Sequence, residues 1–254
     1  MIVLIFGLPG TGKTVLAKEI ASRTNFIHLN ADEVRAELSS DLGFAESDRI
    51  EQARRMGSMA RLLASKGFSV VVDFVCPTNV TREAFGKHDY SIWVDRIDSS
   101  RFEDTNTIWQ TPKHYNLQIK NGLSVTQEAD VVMNKCGIWD WKKPTTLMLG
   151  RYQPWHEGHE ALYNEALKKN NQVLIAVRDT NGTSDKDPFE YGQVQNFIDD
   201  KLNDAFILKF PNITNIVYGR DVGYTIEQID LPDHIKNISA TKKRKELEDE
   251  QHNA

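Results

Sequence analysis

A strand–loop–helix pattern suited to binding phosphate occurs twice in this chain of 254 residues, and the two copies are far apart. Ile2 to Phe6 is an unbroken apolar run, as expected of a parallel strand covered on both faces. It leads into Gly7-Leu8-Pro9-Gly10-Thr11-Gly12-Lys13-Thr14 and then a helix predicted over Lys13 to Thr24. The second copy starts at Thr146-Leu147-Met148-Leu149, a short strand. It continues through Gly150-Arg151-Tyr152-Gln153-Pro154-Trp155-His156-Glu157-Gly158-His159 into a helix whose Leu162, Ala166 and Leu167 share a face. Each loop needs its own strand end and helix start, so a new domain is expected at the second. Pro144 rules out a helix through Trp139 to Pro144 and places the boundary there, giving domains 1–142 and 143–254. Both are long enough to bury a core of their own.

The chemistry of the first loop follows from its residue types. Gly7, Gly10 and Gly12 let the backbone wrap closely and turn N–H groups inward. Lys13 reaches the β- and γ-phosphates, and the Thr14 hydroxyl binds Mg²⁺. ATP is the expected donor. The next strand, Phe26 to Leu29, runs into Asn30-Ala31-Asp32-Glu33-Val34-Arg35. A carboxylate there, past a strand's carboxyl end, can take a proton from an acceptor hydroxyl or help hold Mg²⁺, and Asp32 can also cap the following helix. An amphipathic helix is expected from Ile50 to Lys66, capped by Ser47 or Asp48, and then a buried strand from Phe68 to Val75. Asp73 interrupts that strand where a P-loop enzyme needs a second carboxylate.

In the second half, His156 and His159 sit three residues apart at a helix start, on one side and beside backbone N–H groups without intrahelical partners. That arrangement suits a triphosphate. Strands are expected at Gln172 to Arg178 and Ile213 to Tyr218, with a helix between them around Gly192 to Asn203. The last such element is Ile238-Ser239-Ala240-Thr241-Lys242-Lys243-Arg244 entering a helix. Alternation of strand and helix implies a doubly wound parallel sheet.

Composition sets limits. Hydrophobic residues make up 40% and charged residues 26%, ordinary for a soluble enzyme. Thirty-one basic against 36 acidic residues leave a net charge of −5, which disfavours a nucleic-acid partner without removing a local basic groove. No apolar run is long enough to span a membrane. The opening residues read as a strand and not as a signal peptide, and Cys76 and Cys136 stand apart without metal-ligand company. A cytoplasmic location, small-molecule substrates and no membrane partner are expected; a homo-oligomer is allowed.

Residues 1–82 resemble the adenylylsulfate (APS) kinases. The family's D-G-D-x-x-R-like segment reads Asn30-Ala31-Asp32-Glu33-Val34-Arg35 here, its L-G-F-S-x-x-D-R-x-E-N-I-R-R reads Leu42 to Arg55, and its F-I-S-P reads Phe74-Val75-Cys76-Pro77. The resemblance implies that Asp32 is the catalytic carboxylate, that Arg35 and Arg49 contact the acceptor's anionic group, and that Phe44 stacks on its base. Gln52 replaces the usual Asn and Cys76 the usual Ser, both in the acceptor half. After Ser91 to Asp95 the family's basic lid helix is shortened or gone. Val80 to Phe85 also resembles polynucleotide kinases, a competing acceptor class.

The second half resembles the H-x-G-H nucleotidyltransferases. Gly150 to Pro154 is closest to the nicotinamide-mononucleotide adenylyltransferases, and Asp187-Pro188-Phe189 and Tyr218-Gly219-Arg220 fall in that family's order. The resemblance implies that Gly150, Arg151, His156 and His159 hold an NTP, ATP before CTP. Ser239, Thr241 and Arg244 then clamp its β- and γ-phosphates. The expected architecture is α/β throughout, with two three-layer parallel-sheet domains: a P-loop kinase fold, then a Rossmann-like H-x-G-H fold. The expected function is a bifunctional transferase combining a kinase and a nucleotidyltransferase. The alternatives are an end-processing polynucleotide kinase and a nucleotide sensor without turnover at the first site.

Overall fold

The computed structural model describes residues 1–180, 182–202, 205–217, 219–220, 223, 225–236 and 238–245. The chain forms two compact units, Met1–Lys142 and Lys143–Ala254.

The first unit is built on five parallel strands in the order β2-β3-β1-β4-β5: β1 (Ile2–Phe6), β2 (Ile27–Asn30), β3 (Val70–Phe74), β4 (Tyr90–Val94) and β5 (Leu117–Ile119). Every residue of β1 and β3 is buried, which explains why these strands read as apolar runs without alternation. Helices cover both faces. On one, Leu4, Phe6, Val70 and Val72 pack with Ala53 and Met56 of α3 (Glu46–Ser65) and Phe85 of α4 (Asn79–Phe85). On the other, Val3, Ile5, Val71 and Ile92 pack with Leu16 and Ile20 of α1 (Lys13–Arg23) and with Val132 of α6 (Val125–Cys136). Two shorter helices, α2 (Ala31–Leu38) and α5 (Glu103–Ile108), stand at the carboxyl end of the sheet. The buried Arg23 guanidinium meets Asp140 and Asp130, each at 2.5 Å, and so ties residues 137–142 back to α1.

Some boundaries differ from the sequence expectation. Helix α3 starts four residues early, so Ser47 and Asp48 lie inside it; its N-cap is Ala45, with no side-chain bond. Asp48 instead accepts the Gly43 N–H at 3.0 Å.

The second unit has three parallel strands in the order β6-β7-β8: β6 (Thr146–Gly150), β7 (Val173–Arg178) and β8 (Phe206–Phe210). Helices α7 (Glu157–Lys169) and α8 (Tyr191–Asp199) cross between neighbouring strands in the same direction. Right-handed crossovers therefore put both on one face. There Met148, Ile175 and Val177 pack against Ala166, Val194 and Ile198. A short helix, α9 (Asp233–Lys236), follows. The described residues of this unit thus form two layers, and the third layer expected from the sequence is not among them. The third strand also lies elsewhere. Phe206 to Phe210 is a continuous run closed by Pro211, whereas 213–217 is broken by Thr214 and Asn215, lies outside any strand and leaves Val217 86% exposed. The expected Tyr218 and Asn203 ends fall outside the described residues, as does the acidic run from Glu246.

Gly57 lets α3 and α4 touch: a Cβ there would lie 1.8 Å from the Phe85 carbonyl oxygen. Gly57→Ala is expected to destabilise the first unit by about 1–3 kcal/mol through overpacking, read as a lower urea midpoint. An unchanged midpoint would show that the two helices can part at no cost.

Candidate phosphate-binding sites

The first loop is shaped by close approaches that exclude side chains. Gly7, at φ 152°, passes so near β4 that a Cβ would lie 2.3 Å from the Val94 carbonyl oxygen. Gly12 is the N-cap of α1 in the left-handed region. Lys13 is only 7% exposed and folds back over the loop, where its Nζ donates to the Leu8 carbonyl at 2.8 Å. Burial brings its ammonium down to about 8, against the attraction of Asp73 and Asp32.

Asp73 is the hub of this site. In register it is the neighbour of Ile5 on β1 and of Asn30 on β2. Thr14 Oγ1 donates to its Oδ2 at 2.6 Å, His28 Nε2 lies 2.5 Å from its Oδ1, and Asn30 Nδ2 donates to both oxygens at 3.2 and 3.1 Å. Burial opposes its charge, but the bonds from His28, Thr14 and Asn30 outweigh that and hold the carboxyl below its ordinary range. Asn30 also caps α2, its Oδ1 accepting from the N–H groups of Asp32 and Glu33 at 3.0 and 3.1 Å. The cap expected of Asp32 is therefore supplied two residues earlier, because the helix starts at Ala31, and Asp32 sits exposed in the first turn.

A cavity of about 960 Å³ opens beside this hub. Gly10, Lys13, Thr14 and Asp73 line it together with Asp32, Arg35, Phe44, Arg49 and Gln52, so both halves of the predicted site share one space. The Phe44 ring is 66% exposed and lies 4.8 Å from the Arg35 guanidinium and 5.5 Å from that of Arg49. Gln52 is 2% exposed; its Nε2 donates to the Ala31 carbonyl at 3.3 Å while its Oε1 has no partner. Where the family's lid helix was expected to be shortened or gone, residues 97–102 and the six-residue α5 border the cavity. His28 and Asn30 were not singled out in the sequence. Neither was Arg96, which pairs with buried Glu128 and reaches the space beside Gly12.

The second loop is just as constrained. The Tyr152 ring lies across Gly150, where a Cβ would come within 2.7 Å of it. His156 is the N-cap of α7: its Nδ1 accepts the Gly158 N–H at 3.1 Å, and His159 Nδ1 accepts the His156 N–H at 3.3 Å. With Nδ1 accepting in both rings, the proton of each neutral imidazole belongs on Nε2. The rings stack at 3.8 Å. Burial, then the neighbouring His156, brings His159 down to about 3, and burial also lowers His156.

A cavity of about 380 Å³ joins His159, Arg151 and Tyr152 to Thr241 and Arg244 from the far end of the chain. Residues 240–245 are helical, and Ser239 caps them by accepting the Lys242 N–H at 3.3 Å. Arg244 donates to the Gln153 carbonyl at 2.7 Å and to Thr241 Oγ1 at 3.2 Å. Arg151 pairs with Asp187 at 3.0 Å. Lys186 also lines this cavity, a cation the motifs did not name. Gly150, His156 and Ser239 do not line this cavity; His156 is joined to it through its stacking on His159. Among the described residues no helix is long and apolar enough to cross a membrane, and no cluster of three or more His, Cys, Asp or Glu could hold a metal ion.

The fold and loop define the first unit as a P-loop phosphate-binding α/β domain. Comparison with known proteins adds a likeness: the adenylylsulphate kinase family model matches residues 1–95 of the first unit. The chain is 41% identical over 134 residues to the bifunctional enzyme NodQ of Rhizobium meliloti, covering 48% of this chain and 21% of that protein. It is 36% identical over 88 residues to the adenylyl-sulfate kinase of Geotalea daltonii, covering 33% and 43% respectively. Among solved structures it is similar to the Mycobacterium tuberculosis APS kinase CysC in complex with AMPPNP and APS. That match has 23% identity and a TM-score of 0.47, covering 53% of this chain and 95% of that one. The chain spans less than half the length of the curated relatives it matches.

The depressed value of Lys13 has a signed consequence. Between about 8 and 10.5 the unfolded chain binds more protons at this lysine than the folded one, so folding stability rises with pH there. Below about 8 the full cost of the buried charge is present. Lys13→Met is therefore expected to stabilise the nucleotide-free protein by about 1–3 kcal/mol at neutral pH, with the gain fading as pH approaches 10.5. Urea titrations from pH 7 to 10.5 read this directly; a gain that does not depend on pH contradicts it.

Proposed function

We propose that the chain is a bifunctional transferase, with a kinase in residues 1–142 and an H-x-G-H nucleotidyltransferase of Rossmann-like type in residues 143–254. The observation that carries the first half is the P-loop with Asp73 and Asp32 in one cavity beside Arg35, Phe44 and Arg49. ATP is the donor, and the acceptor is a hydroxyl on an APS-like small molecule. The loop amides and Lys13 hold the β- and γ-phosphates. Asp32, exposed and free of the hub, takes the hydroxyl proton. Arg35 and Arg49 meet the acceptor's anionic group, Phe44 its base, and Gln52 supplies a further polar contact.

The oxygen donors of Thr14, Asp73 and Asp32 fit Mg²⁺, a hard cation that prefers carboxylate and hydroxyl ligands. When bound it would offset charge on the phosphoryl oxygens. In the second half, His159, Thr241 and Arg244 lining one cavity support nucleotidyl transfer from an NTP, ATP or CTP, to a phosphate-bearing acceptor with release of pyrophosphate. The imidazole Nε2–H groups donate to the phosphates as neutral groups, Arg151 and Gly150 border the triphosphate, and Ser239, Thr241 and Arg244 hold its outer phosphates. This is catalysis by positioning and preorganised charge.

The two activities are expected to separate. Lys13→Ala should lower phosphoryl transfer by about 10²-fold or more and leave nucleotidyl transfer intact, and His159→Ala should do the reverse. Product mass spectrometry with ATP, CTP and an acceptor panel including APS and nicotinamide mononucleotide provides the readout. Loss of both activities in either folded variant defeats the two-site reading. Because His159 lies at about 3, nucleotidyl transfer should also show no fall from its protonation between pH 5 and 8.

A further inference from the structure

Three donors meet Asp73, and they divide its two oxygens unequally. Oδ1 takes His28 Nε2 at 2.5 Å and Oδ2 takes the Thr14 hydroxyl at 2.6 Å, while Asn30 Nδ2 spans both at 3.2 and 3.1 Å. Thr14 lines the cavity beside Asp73, whereas His28 does not. The β2–β3 register brings His28 within reach: Asn30 lies opposite Asp73 and His28 opposite Val71, two residues back on the same face of each strand. The His28 side chain is 14% exposed and that of Asp73 2%, so their bond is little weakened by water. An ionised carboxylate only accepts, so the His28 Nε2 that meets it carries a proton.

We infer that His28 is a positioning residue for the metal-binding carboxylate: it holds Asp73 Oδ1 and thereby leaves Oδ2, the oxygen bonded to Thr14, as the one presented to a divalent cation. The inference rests on the reading that Thr14 and Asp73 serve Mg²⁺. A hydroxyl donates through its hydrogen and still has lone pairs for a cation, so the Thr14 bond to Oδ2 is compatible with that task. Asn30 cannot orient the carboxylate by itself, because its amide meets both oxygens at nearly equal length and favours neither. Without the imidazole, Oδ1 keeps only that shared, longer bond. A donor that orients a ligating carboxylate typically governs metal affinity by about 10- to 100-fold. Phosphate held by the loop amides and Lys13 does not depend on it.

The test is calorimetric titration of the full chain with a non-hydrolysable ATP analogue, once with Mg²⁺ and once with EDTA, because the ratio of the two affinities isolates the metal. His28→Leu is expected to weaken binding with Mg²⁺ by about tenfold or more and to change binding in EDTA by less than about threefold. His28→Gln, whose amide carries an N–H donor near the place of the imidazole Nε2, should restore the wild-type ratio to within about threefold. His28→Asn, with its shorter side chain, should behave as His28→Leu. An unchanged ratio in His28→Leu, an equal loss with and without Mg²⁺, or a Gln variant no better than Leu overturns the inference while leaving the kinase reading intact. Should His28→Leu fail to fold, the contrast between His28→Gln and His28→Asn decides it in the same way. If the wild-type protein gains no affinity from Mg²⁺, the inference falls together with the Mg²⁺ reading.

Discussion

A buried carboxylate at the end of a parallel sheet must be satisfied from several directions at once, and in the first unit Asp73 is met by three side chains from two other elements. Thr14 comes from the start of α1, and His28 and Asn30 come from β2, while Asp73 itself is the last residue but one of β3. An unpaired carboxylate at 1% exposure would be strongly destabilising or would be neutralised. These bonds keep it charged, and in doing so they fix the helix that carries the phosphate loop against two strands. Lys13 adds the opposite charge close by, attracted by Asp73 and Asp32 although burial works against it. The loop, the hub and the first turn of α2 therefore form one electrostatic unit.

That unit explains which parts of the site the amino-acid sequence reveals. The glycines, Lys13 and Thr14 form a contiguous motif whose spacing carries its own meaning, and Asp73 stands out because it breaks an apolar run. His28 and Asn30 carry no such local mark. Their role depends on the β2–β3 register, which places Asn30 opposite Asp73, and register across a parallel sheet is not written in either strand alone. The resemblance to APS kinases has an Asp where this chain has Asn30. The structure places a carboxylate next door on β3, so the same small region keeps one negative group and gains an amide that also caps α2.

The fold was legible where the pattern was long and closed by strong signals. Strands β1, β3 and β7 fall within the apolar runs read from the sequence, and β6 exceeds its run by Gly150 alone. The misplaced third strand of the second unit shows the limit: only Pro211 and Asn212 separate the two candidate runs, and packing against α8 and β7 chooses Phe206 to Phe210. Helix α6 is a different case, because its signal was present and not used. Ser124 and Gln127 form a reciprocal capping box, the S-x-x-Q pattern that marks a helix start in sequence. In the second unit the H-x-G-H loop and the segment Ile238 to Arg244 were legible as two separate motifs. Their meeting was not, because about eighty residues separate them and only the tertiary fold brings Arg244 onto the Gln153 carbonyl.

The two loops proposed to bind phosphate differ in their physics, and the difference follows from their residues. In the first, the lysine and carboxylates are buried near one another, so the site carries full charges in a poorly solvated space and its field depends on which of them are paired. In the second, the backbone of α7 takes the Nδ1 atoms of both histidines and burial keeps the imidazoles neutral, leaving Nε2–H as a fixed donor on each. A neutral donor held by its own helix start keeps its geometry whether or not a ligand is present. The full charge that the second site lacks in its histidines is supplied by Arg151, Lys186 and Arg244, which reach it from separate parts of the chain. Rigid orientation and variable charge are thus assigned to different residues there, whereas in the first site Lys13 and Asp73 must provide both.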